Sequence, residues 1–187
     1  MKLTRERLLS VLPEIQDIEN EAWREACISI WQEAYEETCW EDILDAPNNL
    51  ACPSDSLVRH TRGVLAGAIK LSEGICESQG ITIDTDRLRL IALLYDVCKL
   101  LEIEKDQEGF RKTEIGETMP HGYYSAHLCM KHGLPEDICQ SVLSHSQFIA
   151  NTPRTLEGVL LCYADLADAD AVFFTQGKPL LLRYCKV

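Results

Sequence analysis

No two cysteines in this chain stand in a CxxC spacing, and the nine that occur, at 27, 39, 52, 76, 98, 129, 139, 162 and 185, are odd in number. Both features argue against a complete disulfide framework and for reduced thiols. Most of the thiols sit among apolar neighbours, as in Ala26-Cys27-Ile28 and Leu161-Cys162-Tyr163, where a free cysteine behaves as a small buried hydrophobe. None is assigned a catalytic role. No apolar run approaches membrane-spanning length, and the opening Met1-Lys2-Leu3-Thr4-Arg5-Glu6-Arg7 turns charged before a signal-peptide core can form. A cytoplasmic location is therefore expected. Positive charge is scarce as well: 18 basic residues face 30 acidic ones, for a formal charge of -12. The resulting field repels nucleic-acid backbones and anionic lipids, so neither a nucleic-acid polymer nor a membrane is expected as a partner. A small anionic substrate stays compatible, because a metal ion with a nearby Lys or Arg reverses the potential inside one pocket.

Internal repeats, low-complexity tracts and linker-like Pro or Gly clusters are also missing, and strand signals are nearly absent, Ile81-Thr82-Ile83 being too short to count. What remains is helical periodicity in a chain of 187 residues, 46% hydrophobic and 26% charged, which is enough for one domain with its own core. Trp23, Cys27, Ile30, Trp31 and Ala34 recur at spacings of three and four and predict an amphipathic helix within 19–39. Turn formers in Asp45-Ala46-Pro47-Asn48-Asn49 and Cys52-Pro53-Ser54-Asp55 then predict a loop, with a second helix opening near Ser56. A third follows the N-cap candidate Asp84 and runs to about Leu100, and others start after Pro120, at Pro135 and near Pro153-Arg154-Thr155. The fold class expected is all-α, a compact helical bundle. Residues 1–55 read as a helical extension packed on a core formed by 56–187, one structural domain overall.

Polar residues sit where the core should be. Leu57, His60, Val64, Ala68 and Leu71 share one stripe, Asp96 lies eight residues beyond Leu88, and Ile138, Val142 and His145 line another face. A carboxylate on a core face needs an ion partner or a metal to persist there. Converging His and Asp from facing helices are how bundle cores build metal sites, with imidazole suiting Fe, Zn or Ni and carboxylate suiting Mn. Each residue alone also has a structural explanation. His60 fits a hydrogen-bonded core histidine, Asp96 a pair with Lys99 or Arg62, His121 a helix start after Pro120, and Asp165 a solvated acidic face shared with Asp168 and Asp170.

The joint order of these residues, over roughly residues 56–170, resembles the HD superfamily of metal-dependent phosphohydrolases. His60-Thr61-Arg62-Gly63-Val64 is similar to the family's first-histidine helix, and Leu93-Leu94-Tyr95-Asp96-Val97-Cys98-Lys99-Leu100 to its His-Asp segment. His121-Gly122 and His145-Ser146 match the two histidines of the binuclear subgroup, and Ala164-Asp165 the closing aspartate. The chain departs from the pattern at Tyr95, where the family carries the histidine of its name. The resemblance implies an HD-type bundle binding one or two divalent transition metals (Fe, Mn, Zn or Ni) through His60, Asp96, His121, His145 and Asp165. One ion would fall to His60, Asp96 and Asp165, the other to Asp96, His121 and His145. Tyr95, a phenol with an ordinary pKa near 10, is read as a packing aromatic lining the substrate pocket rather than as a ligand. The activity implied is hydrolysis of a small phosphorylated substrate by metal-activated water, with Asp96 and Lys99 as catalytic groups and Arg62, Lys99 and Tyr95 on the substrate. Two alternatives stay open: an iron oxygenase of the same superfamily, and a non-catalytic metal- or ligand-binding domain. His127 and His132 are read as surface or packing residues.

Overall fold

The computed structural model describes residues 2–146 and 152–184. The chain is mostly helical, as the apolar spacing predicts. The expected helix within 19–39 is Glu21–Glu36 (α2), capped by Asn20, whose side chain accepts from the Trp23 amide. It is preceded by a short helix, Arg5–Val11 (α1), that the apolar spacing does not signal. The 23-residue helix α3, Leu57–Gln79, begins on the Ser56 cap and stops at Gly80, whose φ of 66° is the left-handed conformation glycine adopts without steric penalty. Its buried stripe of Leu57, His60, Val64 and Ala68 faces α9, Leu156–Thr175, and α4, Thr85–Leu94. The prolines at 120 and 135 start helices as expected, His121–Lys131 (α7) and Glu136–Leu143 (α8).

The periodicity after Asp84 predicts a helix to about Leu100, and here the structure differs. Helix α4 ends at Leu94, and residues 95–98 form turns before a four-residue helix, Lys99–Glu102 (α5). The Val97 amide donates to the Leu94 carbonyl and the Lys99 amide to the Asp96 carbonyl, bonds of three-residue span that tighten the backbone. A helix end leaves carbonyls without intrahelical partners. Two tryptophans from the first 55 residues fill that need: the Trp31 indole donates to the Leu93 carbonyl at 2.8 Å and the Trp40 indole to the Leu100 carbonyl at 3.1 Å. Both bonds are buried, and they bracket Asp96.

Strand is scarce, as expected, and among the described residues forms one short hairpin. Ile103–Lys105 (β1) pairs antiparallel with Phe110–Lys112 (β2), in the register Ile103↔Lys112, Glu104↔Arg111 and Lys105↔Phe110. Asp106 closes the turn by accepting from the Glu108 and Gly109 amides. A five-residue helix, Glu114–Thr118 (α6), then leads to α7. A single hydrophobic cluster runs from Leu3 through Trp31, Ile91 and Val142 to Ala164, so the first 55 residues share the core of the rest. Among the described residues no helix is long and apolar enough to cross a membrane.

Candidate metal centre

Asp96 sits in the turn between α4 and α5, 1% exposed, and its two carboxylate oxygens look in different directions. Oδ1 lies 3.0 Å from His121 Nε2 at the start of α7 and 3.5 Å from His145 Nε2 just past α8. Oδ2 lies 3.5 Å from His60 Nε2 on α3 and 2.7 Å from the Lys99 ammonium. His60 Nε2 is also 3.0 Å from Asp165 Oδ1 on α9. The turn at 95–98, where α4 gives way to α5, is thus the place at which α3, α7, α9 and the end of α8 bring their ligand atoms to one carboxylate. The cluster thus divides into two groups sharing Asp96: Asp96 with His121 and His145, and His60 with Asp96 and Asp165, the ligand atoms of each lying within 4.8 Å of one another.

Every imidazole is oriented by its other nitrogen. His60 Nδ1 is 2.7 Å from Asp168 Oδ2, His121 Nδ1 is 2.7 Å from Glu102 Oε2, and His145 Nδ1 is 2.6 Å from the Val142 carbonyl. An acceptor at Nδ1 fixes the tautomer with the proton there and leaves a bare lone pair at Nε2, the arrangement typical of histidines that ligate metals. All three Nε2 atoms converge on Asp96. His121 Nε2 and His145 Nε2 stand 3.3 Å apart, a repulsive contact between two lone pairs unless a proton or an ion lies between them.

Three observations fit this site to metal ions. Both Asp96 oxygens are buried, and neither accepts a properly directed hydrogen bond, although cationic and imidazole nitrogens lie within ion-pair distance. An unsatisfied buried carboxylate is expensive. Next, nitrogen and oxygen ligands about 2.0–2.1 Å from one ion are separated by about 3.0 Å in octahedral and about 3.3 Å in tetrahedral geometry. The distances here, 3.0, 3.3 and 3.5 Å in one group and 3.0 and 3.5 Å in the other, span that range. Finally, among the described residues the fixed cations paired with the carboxylates Asp96, Asp165, Asp168 and Glu102 are the ammonium groups of Lys99 and Lys112, so neutral imidazoles leave the centre with excess negative charge.

Protons supply the balance when cations do not. Burial alone would push His60 below its ordinary pKa, but Asp165, Asp168 and Asp96 reverse this and hold it well above. His121 is raised in the same way, burial being outweighed by Asp96 and Glu102. His145 goes the other way, lowered chiefly by burial, and stays neutral. Burial opposes the charge on Asp96, yet Lys99 and His121 hold its carboxyl well below the usual range. Lys99 remains an ammonium despite burial, its pKa raised by Asp96 and Asp165.

Tyr95 is fully buried beside the cluster. Its ring meets His145 edge-on at 4.9 Å between centroids, and its hydroxyl donates a long 3.4 Å bond to Asp165 Oδ1. Burial first, then the charges of Asp96, Asp165 and Asp168, raise its pKa well above 10, so the phenol stays protonated. Arg62 is not brought to the site. Two residues after His60 it lies on another face of α3, where its guanidinium pairs with Glu14 at 2.7 Å. His132 pairs with Glu33, and His127 stacks near Tyr124.

Three residues around the centre escape the sequence pattern: Asp168, read as part of a solvated acidic face, and Glu102 and Asn48, which carry no expectation. For Asp168 a signal exists: it stands three residues after Asp165, and Gly63 stands three after His60. A Cβ at Gly63 would come within 2.3 Å of Asp168 Oδ1, so the glycine opens the space that the carboxylate fills. Glu102 and Asn48 reach the centre only through the backbone break and the 45–56 loop, which leave no periodic trace. A cavity of about 250 Å³ opens beside His121, lined by Glu102, Lys112, Gly116, Glu117 and Pro120. A larger hollow of about 780 Å³, between Met130, Leu134, Cys139 and Arg154, contains none of the cluster residues. No family model, curated protein or solved structure matches the chain.

Proposed function

We propose that the chain is a metal-dependent hydrolase of the HD type, cleaving a phosphoester of a small substrate. The observation that carries the proposal is Asp96, whose two buried oxygens face two separate sets of ligand atoms and lack directed hydrogen bonds. His60, Asp96 and Asp165 would hold one divalent ion, and Asp96, His121 and His145 the other. Bound there, such ions supply a water of lowered pKa and positive charge for the phosphoryl oxygens.

The rest is the work of the chain's own side chains. Asp168, Glu102 and the Val142 carbonyl would keep an imidazole proton on Nδ1, so that Nε2 is the nitrogen offered to an ion once any proton there has been displaced. Lys99 holds a full positive charge within 2.7 Å of Asp96 and presents it to an incoming anion. Tyr95, Val97 and Leu94, all buried, keep bulk water from the α4–α5 turn and raise the strength of every charge interaction inside it. The cavity beside His121, about 250 Å³, has room for a small substrate and not for a polymer, which agrees with the chain's charge of -12.

The test is to purify the protein without added metal, measure bound metals by mass spectrometry, and follow p-nitrophenyl phosphate hydrolysis before and after chelation. Bound transition metal with activity lost on chelation and regained with Mn or Fe is the expected result. A metal-free protein, or turnover indifferent to chelation, rejects the reading. Two bound irons with dioxygen consumption and no hydrolysis would replace it by an oxygenase.

A further inference from the structure

The loop between α2 and α3 is tied to the cluster by one buried amide. Asn48, 2% exposed, accepts a 2.8 Å hydrogen bond on Oδ1 from the Lys99 ammonium. Its Nδ2 donates at 3.3 Å to Asp55 Oδ2, and its backbone amide donates at 2.7 Å to the Asp55 carbonyl. Asp55, itself 1% exposed, is gripped through its other oxygen by Arg59 at 2.6 and 2.9 Å. The isolated bridge Pro47↔Ser56 closes the loop around these groups. A line of polar contacts therefore runs from Asp96 through Lys99, Asn48 and Asp55 to Arg59 at the surface.

The amide's orientation follows from its partners. Asp55 is a carboxylate and accepts only, so the NH₂ must face it and the carbonyl oxygen must face Lys99. A neutral acceptor has a particular consequence here. It holds the ammonium in place without cancelling its charge, whereas a carboxylate would form an ion pair with it. Lys99 has three donors; Asn48 takes one, Asp96 stands 2.7 Å away as an ion-pair partner without a directed hydrogen bond, and no other protein acceptor is shown for the ammonium among the described residues.

We propose that Asn48 is a positioning residue: oriented by Asp55, it holds the Lys99 ammonium with one N–H directed to the phosphoryl oxygen of the substrate. This rests on the hydrolase reading above. It also assigns a task to the segment before α3, which carries none of the metal-ligating residues. Without Asn48 the ammonium keeps its 2.7 Å contact with Asp96 but loses the second anchor that fixes the direction of its remaining N–H groups.

Inorganic phosphate is the probe, titrated calorimetrically into the full-length, metal-loaded protein, with metal content measured on the same samples. In Asn48→Ala the phosphate affinity should fall roughly tenfold, the size expected for a lost hydrogen bond to a charged group. Metal content should not change, since Asn48 touches no proposed ligand directly. The isosteric Asn48→Asp keeps the volume and the acceptor to Lys99 but sets a second carboxylate against Asp55, so its fold is checked by circular dichroism; folded, it should retain metal and still bind phosphate more weakly. In turnover of p-nitrophenyl phosphate both variants should raise KM more than they lower kcat. Wild-type phosphate affinity in a folded Asn48→Ala and in Asn48→Asp would overturn the proposal while leaving the hydrolase reading intact. Loss of metal together with phosphate would assign Asn48 to the integrity of the whole centre and overturn it too. Metal-loaded wild type that ignores phosphate would reject both.

Discussion

The two halves of the cluster share Asp96 but are built differently. Around Oδ1 stand two imidazoles, His121 and His145, with Nε2 atoms 3.3 Å apart. Around Oδ2 stand one imidazole, His60, the carboxylate of Asp165 and a protonated phenol at Tyr95. The first half is rich in nitrogen and draws its ligands from the ends of short helices, α7 and α8. The second is rich in oxygen and draws them from long ones, α3 and α9. The difference teaches that a shared carboxylate can face unlike ligand sets, two imidazoles on one side and one imidazole with a second carboxylate and a phenol on the other. Nitrogen ligands favour later transition ions such as Zn, Ni and Fe, and oxygen ligands harder ones such as Mn. The two halves should therefore differ in affinity.

The largest effect should come from the residue common to both. Asp96→Asn keeps the shape but removes the bridging charge, so metal content should fall below a tenth of the wild-type value, read by mass spectrometry after gel filtration. Retention of either ion would show that the halves do not depend on Asp96.

Substitutions on one side come next. His145→Ala and His121→Ala should each remove the metal of the nitrogen-rich half, and His60→Ala that of the oxygen-rich half, leaving the other partly loaded. Equal losses from all three would mean that the centre loads as a unit, erasing the comparison. Tyr95→His should then raise stoichiometry or affinity on the side of His60, and it should increase p-nitrophenyl phosphate hydrolysis. Unchanged metal content in that variant would mean that the pocket already holds its full complement with the tyrosine in place.

Protons give a subtler measure of the same asymmetry. His60 and His121 are held above their ordinary pKa in the metal-free protein, His60 the more strongly, and His145 is held below. Cations must displace protons from the first two, so metal affinity should climb as pH rises through their elevated values, with proton release visible in buffers of different ionisation enthalpy. The sign for stability is the reverse. In metal-free protein the contribution of His60 and His121 is fully present below about pH 6.5, the unfolded value, and is lost as pH rises through their folded values. The contribution of Asp96, whose folded value is depressed, is present above the unfolded value near 3.9 and is lost as pH falls below it. Thermal melts of the apoprotein should thus peak in the mildly acidic range, and a peak above pH 8 would contradict the assignment. The smallest effect should be that of Tyr95→Phe, which removes one long hydrogen bond and lowers stability by about 1 kcal/mol or less.

The helices carrying His60, His121 and Asp165, and the one that ends just before His145, were legible in the sequence because an amphipathic stripe repeats every three or four residues, and because Pro120 and Pro135 mark starts that the backbone respects. The end of α4 at Leu94 was not, for an equally physical reason. Leu93, Leu94, Val97, Leu100 and Leu101 are buried whether or not the backbone between them is helical, so the apolar pattern carries no mark of the break. The same blindness hid the hairpin at 103–112, whose strands are three residues long.

Composition, charge and periodicity by themselves determined a helical chain with an acidic surface, reduced thiols and a set of His and Asp residues on faces that should be buried. Those are properties of short stretches, set by side-chain chemistry and the 3.6-residue period. Only the tertiary structure decided that Asp96 leaves its helix, that Trp31 and Trp40 satisfy the carbonyls beside it, and that Asp168, Glu102 and Asn48 orient the groups around it. It also decided that Arg62 turns away to Glu14. These outcomes depend on contacts between segments separated by about 20 to 110 positions, and the energy of such a contact is written in neither segment alone.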